Sequence, residues 1–148
     1  MQIREATEQD LEQIVPLFAQ LGYASNPDWV GRQLRALHQN QSGRALVAEA
    51  SGVVAGVAVV HLMRPIHVES PWALLSALVV DEGCRSAGIG QGLLAAAEAF
   101  AIGHGCSQLE LSSSIRRSRA HAFYQQNGYQ EKRLRFVKFF STPSMNQP

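Results

Sequence analysis

Apolar positions recur along the chain in two rhythms, one of period two and one of helical period. Ile3–Ala6 reads as a short first strand. Thr7 then stands as an N-cap, with Glu8 and Asp10 near the positive start of a helix. Leu11, Ile14, Val15, Phe18 and Leu21 follow at helical spacing and predict an amphipathic helix over residues 8–21. Pro16 removes one backbone donor inside it, which predicts a kink or a shortened first part, and Gly22 ends it. Asn26-Pro27 predicts a cap followed by proline at the first helical position. Trp29, Val30, Leu34 and Leu37 then share one face of a second helix that runs to Gln39.

Beyond Gln41-Ser42-Gly43 the pattern turns β-rich. Arg44–Ala50 and Val53–Met63 predict a hairpin joined at Ser51-Gly52. Arg64–Pro71 is a loop or the start of a strand, and Trp72–Val80 is a buried strand. A glycine-bearing turn at 83–90 leads into a long Ala/Leu helix over Ile89–His104. Ser107–Leu111 alternates weakly and predicts a strand, and Arg117–Gln126 predicts a short helix closed by Asn127-Gly128. Tyr129–Lys132 and Arg135–Phe140 predict two terminal strands, and the last eight residues predict a frayed tail. The expectation is one α/β domain over 1–148, with a mixed sheet and the order β-α-α-β-β-β-α-β-α-β-β.

Composition narrows the class. A chain of 148 residues, 46% apolar and 17% charged, is ordinary for one soluble globular domain and excludes low-hydropathy disorder, a collagen-like chain and a disulfide framework. The balance of 13 basic to 12 acidic residues, a net +1, demands neither nucleic acid nor an anionic membrane as partner. The apolar stretches Val53–Met63 and Ala73–Val80 fall short of the ~20 residues that span a bilayer. With no apolar run at the N-terminus, the expectation is a cytoplasmic protein with Cys84 and Cys106 as free thiols. The five histidines lack metal-ligand spacing, so no metal is expected.

The chemistry-bearing segment is Leu78-Val79-Val80-Asp81-Glu82-Gly83-Cys84-Arg85-Ser86-Ala87-Gly88-Ile89-Gly90-Gln91-Gly92-Leu93-Leu94. A strand feeds a glycine-spaced turn that opens a helix. Such a turn aims successive backbone N–H groups outward at a helix start, which suits phosphate or pyrophosphate, and Arg85 adds a charge at the rim. By itself it is equally a tight connection that binds nothing. Gly-Lys-Ser/Thr of a P-loop is missing, and Gly88-Ile89-Gly90 is followed by Leu93 where a dinucleotide fingerprint has glycine.

Arg85-Ser86-Ala87-Gly88-Ile89-Gly90 resembles the Arg/Gln-x-x-Gly-x-Gly/Ala signature of the GNAT family of N-acetyltransferases. Ala122-Phe123-Tyr124-Gln125-Gln126-Asn127-Gly128-Tyr129 resembles that family's second block, a tyrosine on a short helix followed by Gly-Phe/Tyr. The element order fits over residues 2–140. The resemblance implies a mostly antiparallel sheet of six to seven strands with about four helices, splayed into a V between the fourth and fifth strands. It implies acetyl-CoA as cosubstrate in that cleft. Residues Arg85, Ser86, Ala87, Gly88, Ile89, Gly90 and Gln91 would cradle the pyrophosphate. Leu78-Val79-Val80 would line the pantetheine arm, with backbone groups of Leu78 and Val80 bonding it and the amide near Val80 polarising the thioester carbonyl.

Acetyl transfer to an amine needs a neutral amine, a polarised carbonyl and a proton for the leaving thiolate. The resemblance gives the last role to Tyr124, whose residue-level alternative is a core aromatic beside Phe123. The fourth strand lacks the carboxylate that the family often supplies as base; Glu69 and His67 are candidates beside it, with a water relay as the alternative. Where the family often has asparagine there is Arg117, followed by Ser118; both are candidates for the cofactor's phosphate side, against the plain reading of a solvated helix start. His121 is a packing residue or a polar neighbour of the cofactor. Tyr23, Trp29, Trp72 and Ser76 are candidates for the acceptor site, which points to a small-molecule amine rather than a protein or peptide amine. A non-catalytic acyl-CoA-binding module or an interaction protein is the rival reading. Edge strands and the apolar stretch Phe136–Phe140 point to a homodimer.

Overall fold

The computed structural model describes residues 1–85, 87–112, 118–132 and 135–140, with only the backbone of Ser118. The chain divides into two compact units, 1–111 and 112–148. In the first, a five-stranded sheet runs in the order β1 (Gln2–Glu5), β2 (Gly43–Ala50), β3 (Val53–Met63), β4 (Trp72–Val80), β5 (Leu109–Glu110). The pairs are antiparallel except β4–β5, which is parallel. Helices α1 (Leu11–Leu21) and α2 (Pro27–Gln39) precede β2, and α3 (Ile89–Gly103) follows β4. None of the described helices is long and apolar enough to cross a membrane.

Local chemistry sets most boundaries. Gly22 closes α1 at φ 113°, a left-handed value natural only to glycine. The α-helix expected over 8–21 starts at Leu11, with Glu8–Asp10 in a 3-10 turn, and it continues through Pro16. The Asn26 side chain accepts from the amides of Asp28 and Trp29 at 2.8 and 3.3 Å, and Pro27 needs no partner at the first helical position. Ser51 and Gly52 join β2 to β3 with φ of 53° and 79°, both positive as a two-residue type I′ turn requires.

The entry to α1 is tied by charge. Arg4 donates through both terminal nitrogens to Asp10 at 2.8 Å each and through Nε to Glu49 at 2.7 Å, joining β1, β2 and the 3-10 turn Glu8–Asp10. The Thr7 amide donates to the same Asp10 carboxylate at 2.8 Å. These partners hold the buried Asp10 carboxyl below its usual range, and the hydrogen bond from Arg4 is the largest cause.

The sheet separates two apolar layers. On one face Ile14 and Leu17 of α1 pack with Val47, Val57 and Val79, and Leu34 and Leu37 of α2 flank them. On the other face Leu93, Leu94 and Ala97 of α3 are sealed from solvent. A Cβ on Gly56 of β3 would stand 2.9 Å from Leu93 and 3.2 Å from Ile89, so only glycine lets the start of α3 lie this close to the sheet.

The second unit contains α4 (Ser118–Gln126), closed by Gly128 at φ 92°. Two expectations are corrected here. The terminal strands over Tyr129–Lys132 and Arg135–Phe140 are not formed: neither stretch is a strand, and the sheet has five strands rather than six to seven. A strand needs a ladder partner, and the described part of this unit has only α4. The strand expected over Ser107–Leu111 contracts to Leu109–Glu110. The tail 141–148 lies outside the described residues.

Candidate functional site

β4 is the strand around which the site is built. It pairs with the two-residue β5 only at Ala73 and Leu74, so from Leu75 to Val80 that edge has no ladder partner among the described residues. The Asp81 amide donates to Ala55 of β3 at 2.8 Å, which sets the alternation of backbone groups near the strand's end. By that alternation and the register Val57↔Val79, the backbone groups of Leu78 and Val80 point to the open edge, and those of Val79 point to β3. Val79 is therefore a core residue, with its side chain buried among Ile14, Val47 and Val57.

A bulge reverses the parity of β4 halfway along. Val59 pairs with Ala77 and Val60 with Leu75, so Ser76 is the extra residue. The bulge lets Leu78 and Val80 face the open edge on the same strand where Ala73 bonds toward β5 through Gln108 at 2.9 Å.

Beyond β4 the chain turns tightly over Glu82–Cys84. The Asp81 carboxylate accepts from Gln20 of α1 at 2.8 Å and from the Gly83 amide at 3.3 Å, and Gln20 in turn accepts from the Glu82 amide at 3.2 Å. These contacts hold the Asp81 carboxyl below its usual range, with the Gln20 hydrogen bond as the main cause. Gly88 caps α3 at φ 76°, and a Cβ there would meet no protein atom within 4 Å. The helical ladder starts with the Gly92 amide on the Gly88 carbonyl at 3.0 Å. The amides of Ile89, Gly90 and Gln91 are therefore without intrahelical partners, and no acid sits in the first turn of α3. Exposed Arg85 precedes Gly88 by three residues in the chain. A helix start whose first amides have no intrahelical partner, with no acid in its first turn, fits a pyrophosphate.

On the α1–α2 face a groove of about 450 Å³ opens between the helices and the sheet. Tyr23 of the α1–α2 connection and Trp29 of α2 line it on one side, and His61, Ser76 and Ala77 line it from β3 and β4. No Asp, Glu, Lys or Arg lines the groove among the described residues. The guanidinium of Arg32 lies 5.7 Å from the Trp29 ring. Half-buried His61 meets the Ser76 hydroxyl at 2.8 Å through Nε2, and burial pushes its imidazole below the usual histidine range.

Three of the four expected acceptor residues, Tyr23, Trp29 and Ser76, thus meet at one groove; Trp72 sits at the start of β4 outside it. Glu69 and His67 are exposed on the loop 64–71 and do not line the groove. Tyr124 lies half-buried on α4, its ring edge-on to Phe123 at 5.2 Å and to Tyr129 at 5.8 Å. Ser86 and Arg117 lie outside the described residues, as does the Ser118 side chain. Sequence reasoning missed Gln20, Gly56 and the His61–Ser76 pair. Only the cross-strand register of β3 and β4 could have paired the last two.

The acetyltransferase (GNAT) family model matches residues 7–129. An aminoalkylphosphonate N-acetyltransferase of Salmonella typhimurium is 32% identical over 142 residues, covering 93% of this chain and 90% of the relative. A transcriptional regulator from Bacillus halodurans superposes with a TM-score of 0.83 at 26% identity, over 94% of this chain and 99% of the other. An aminoglycoside N-acetyltransferase in complex with CoA has the same fold, with a TM-score of 0.82 at 22% identity over 93% of each chain. The match over most of the chain, on a mixed sheet followed by a glycine-capped helix, settles the family: this protein belongs to the GNAT family of N-acetyltransferases.

Proposed function

We propose that the protein moves the acetyl group of acetyl-CoA to a small primary amine by direct attack in a ternary complex, with Tyr124 as general acid. The observation that carries the reading is the start of α3, where free amides and Gly88 adjoin the open edge of β4. Acetyl-CoA supplies the activated thioester. The amides of Ile89, Gly90 and Gln91, with Arg85, take the pyrophosphate. The backbone of Leu78 and Val80 orders the pantetheine arm as an added strand, and an amide at the end of β4 polarises the carbonyl. Tyr124 gives its phenolic proton to the departing thiolate; the Ala122–Tyr129 block supports that role.

The acceptor binds in the groove between Tyr23 and Trp29. Its uncharged lining favours an amine with an uncharged body, because a polycation would call for carboxylates and finds none among the described lining residues. The aminoalkylphosphonate of the Salmonella relative would instead have Arg32 at the groove's rim. A panel of arylalkylamines, aminoalkylphosphonates, aminoglycosides and a lysine peptide, followed by thiol release, tests the reading. The expected result is turnover of a small amine and a fall in kcat of about 10²–10⁴-fold in Tyr124→Phe at unchanged acetyl-CoA affinity. An equal loss of turnover and affinity would make Tyr124 a packing residue. Binding of acetyl-CoA without thiol release from any amine would favour a non-catalytic acyl-CoA-binding module.

A further inference from the structure

We infer that Ser76 and His61 form the proton-accepting relay of the acceptor groove. The inference rests on the acetyl-transfer reading above and names the base that the carboxylate-free β4 does not supply.

Placement is the first argument. The bulge puts Ser76 out of register with β3, so its exposed hydroxyl faces the groove instead of taking a ladder position. His61 lies behind it, half-buried, on the neighbouring strand. Ser76 and His61 both line the groove, 2.8 Å apart, with the hydroxyl the more exposed of the two.

The second argument is donor direction. The Ser76 hydroxyl has one proton and two neighbouring acceptors, His61 Nε2 at 2.8 Å and the Val59 carbonyl at 3.4 Å. The relay takes the tautomer in which the hydroxyl donates to Nε2 and the neutral imidazole carries its own proton on Nδ1; in the opposite tautomer Nε2–H donates to the hydroxyl and the hydroxyl donates to the Val59 carbonyl.

The third argument is charge. The described residues of α1 and α2 that face the groove carry no titratable group, and Tyr23 between the helices is the titratable residue on that side. Ser42 before β2, Ala45 of β2, and Ser76 and Ala77 of β4 also line it, none of them charged. Arg44 on β2 points to the opposite face, 4.7 Å from the Phe100 ring of α3. Burial without an acidic partner keeps His61 neutral at pH 7, ready to accept.

The step balances. The amine nitrogen's lone pair forms the C–N bond to the acetyl carbon while the C–S bond breaks, and the thiolate takes the proton of Tyr124. The amine's surplus proton passes to the Ser76 oxygen as the hydroxyl proton passes to His61 Nε2. His61 returns the proton to solvent and Tyr124 regains one, so both groups are restored.

Two readouts test this. In the free protein, a long-range proton–nitrogen NMR spectrum at pH 8 is expected to show His61 protonated on Nδ1; the Nε2-protonated tautomer would overturn the relay. In turnover, Ser76→Ala and His61→Gln are expected to lower kcat about 10²–10⁴-fold, with the thermal shift given by acetyl-CoA unchanged. Imidazole in the buffer is expected to restore part of the activity of His61→Gly but not that of Tyr124→Phe. Wild-type turnover in both single variants would overturn the relay alone. A wild type that releases thiol with no amine would overturn the acetyl-transfer reading and the relay with it. An acetyl group found on Ser76 after incubation with acetyl-CoA would overturn the relay in favour of a covalent route.

Discussion

The two faces of the sheet are packed to opposite ends. On the α3 face, Gly56, Ala58 and Val60 of β3 meet a helix rich in alanine and glycine, and Leu93 is fully sealed. Small residues let the helix approach, so its first turn is held against the sheet and the glycine turn is held with it. On the α1–α2 face, Val57, Val59 and His61 begin in a core with Ile14 and Leu17 but end at an open groove. Helix α2 buries only Gly31, and Trp29 remains 54% exposed. One face is filled and holds the turn proposed for the cofactor; the other is left unfilled and offers the groove proposed for the acceptor. The difference teaches that stability and specificity are carried by opposite sides of the same strands.

Substitutions on the two faces should therefore separate. Leu93→Ala is expected to cost about 2–5 kcal/mol in urea unfolding, because it opens a cavity in the sealed face. Asp10→Asn is expected to cost about 3 kcal/mol by leaving the fork of Arg4 half-paired, while the groove keeps its ligands. The sign of the pH effect follows from the lowered carboxyl. Asp10 stabilises the fold fully above its unfolded pKa of about 3.9 and less as pH falls through its lower folded value. Wild type should thus lose more stability than Asp10→Asn between pH 6 and pH 2; equal losses would show that the carboxyl titrates normally. Gly56→Ala is expected to cost about 1–3 kcal/mol, since Leu93 and Ile89 must give way. It should also weaken acetyl-CoA binding through the shifted start of α3, which calorimetry would read. Trp29→Ala is expected to change stability by less than about 0.5 kcal/mol, as an exposed side chain should. Its effect should fall on the KM of the amine, and a changed acetyl-CoA affinity instead would join the two faces that the packing separates.

The same division explains what could be read from residue order. The hairpin at Ser51-Gly52, the cap at Asn26-Pro27 and the αL glycines Gly22 and Gly88 are local, and each was legible because a few neighbouring residues dictate the backbone. The segment after α4 was misread. Its aromatic-rich run over Arg135–Phe140 reads as a strand, but a ladder requires a partner that a one-dimensional pattern does not provide. The bulge at Ser76 was invisible, since one extra residue in a ladder is defined only by the opposite strand. The fork of Arg4 on Asp10 and Glu49, and the pairing of His61 with Ser76, join residues distant in the chain. The glycine turn was the part of the candidate site read from residue order, and of the groove only Tyr23, Trp29 and Ser76 were named from it.

The most direct test of the account is thermal unfolding of wild type and Gly88→Glu with and without acetyl-CoA. At 100 times its dissociation constant the ligand should stabilise wild type by about 2.7 kcal/mol. The glutamate places bulk and negative charge in the open space over the free amides of α3, so a folded Gly88→Glu protein should show no shift. An unchanged melting point in wild type at millimolar acetyl-CoA, or an equal shift in both proteins, would contradict the assignment of the glycine turn.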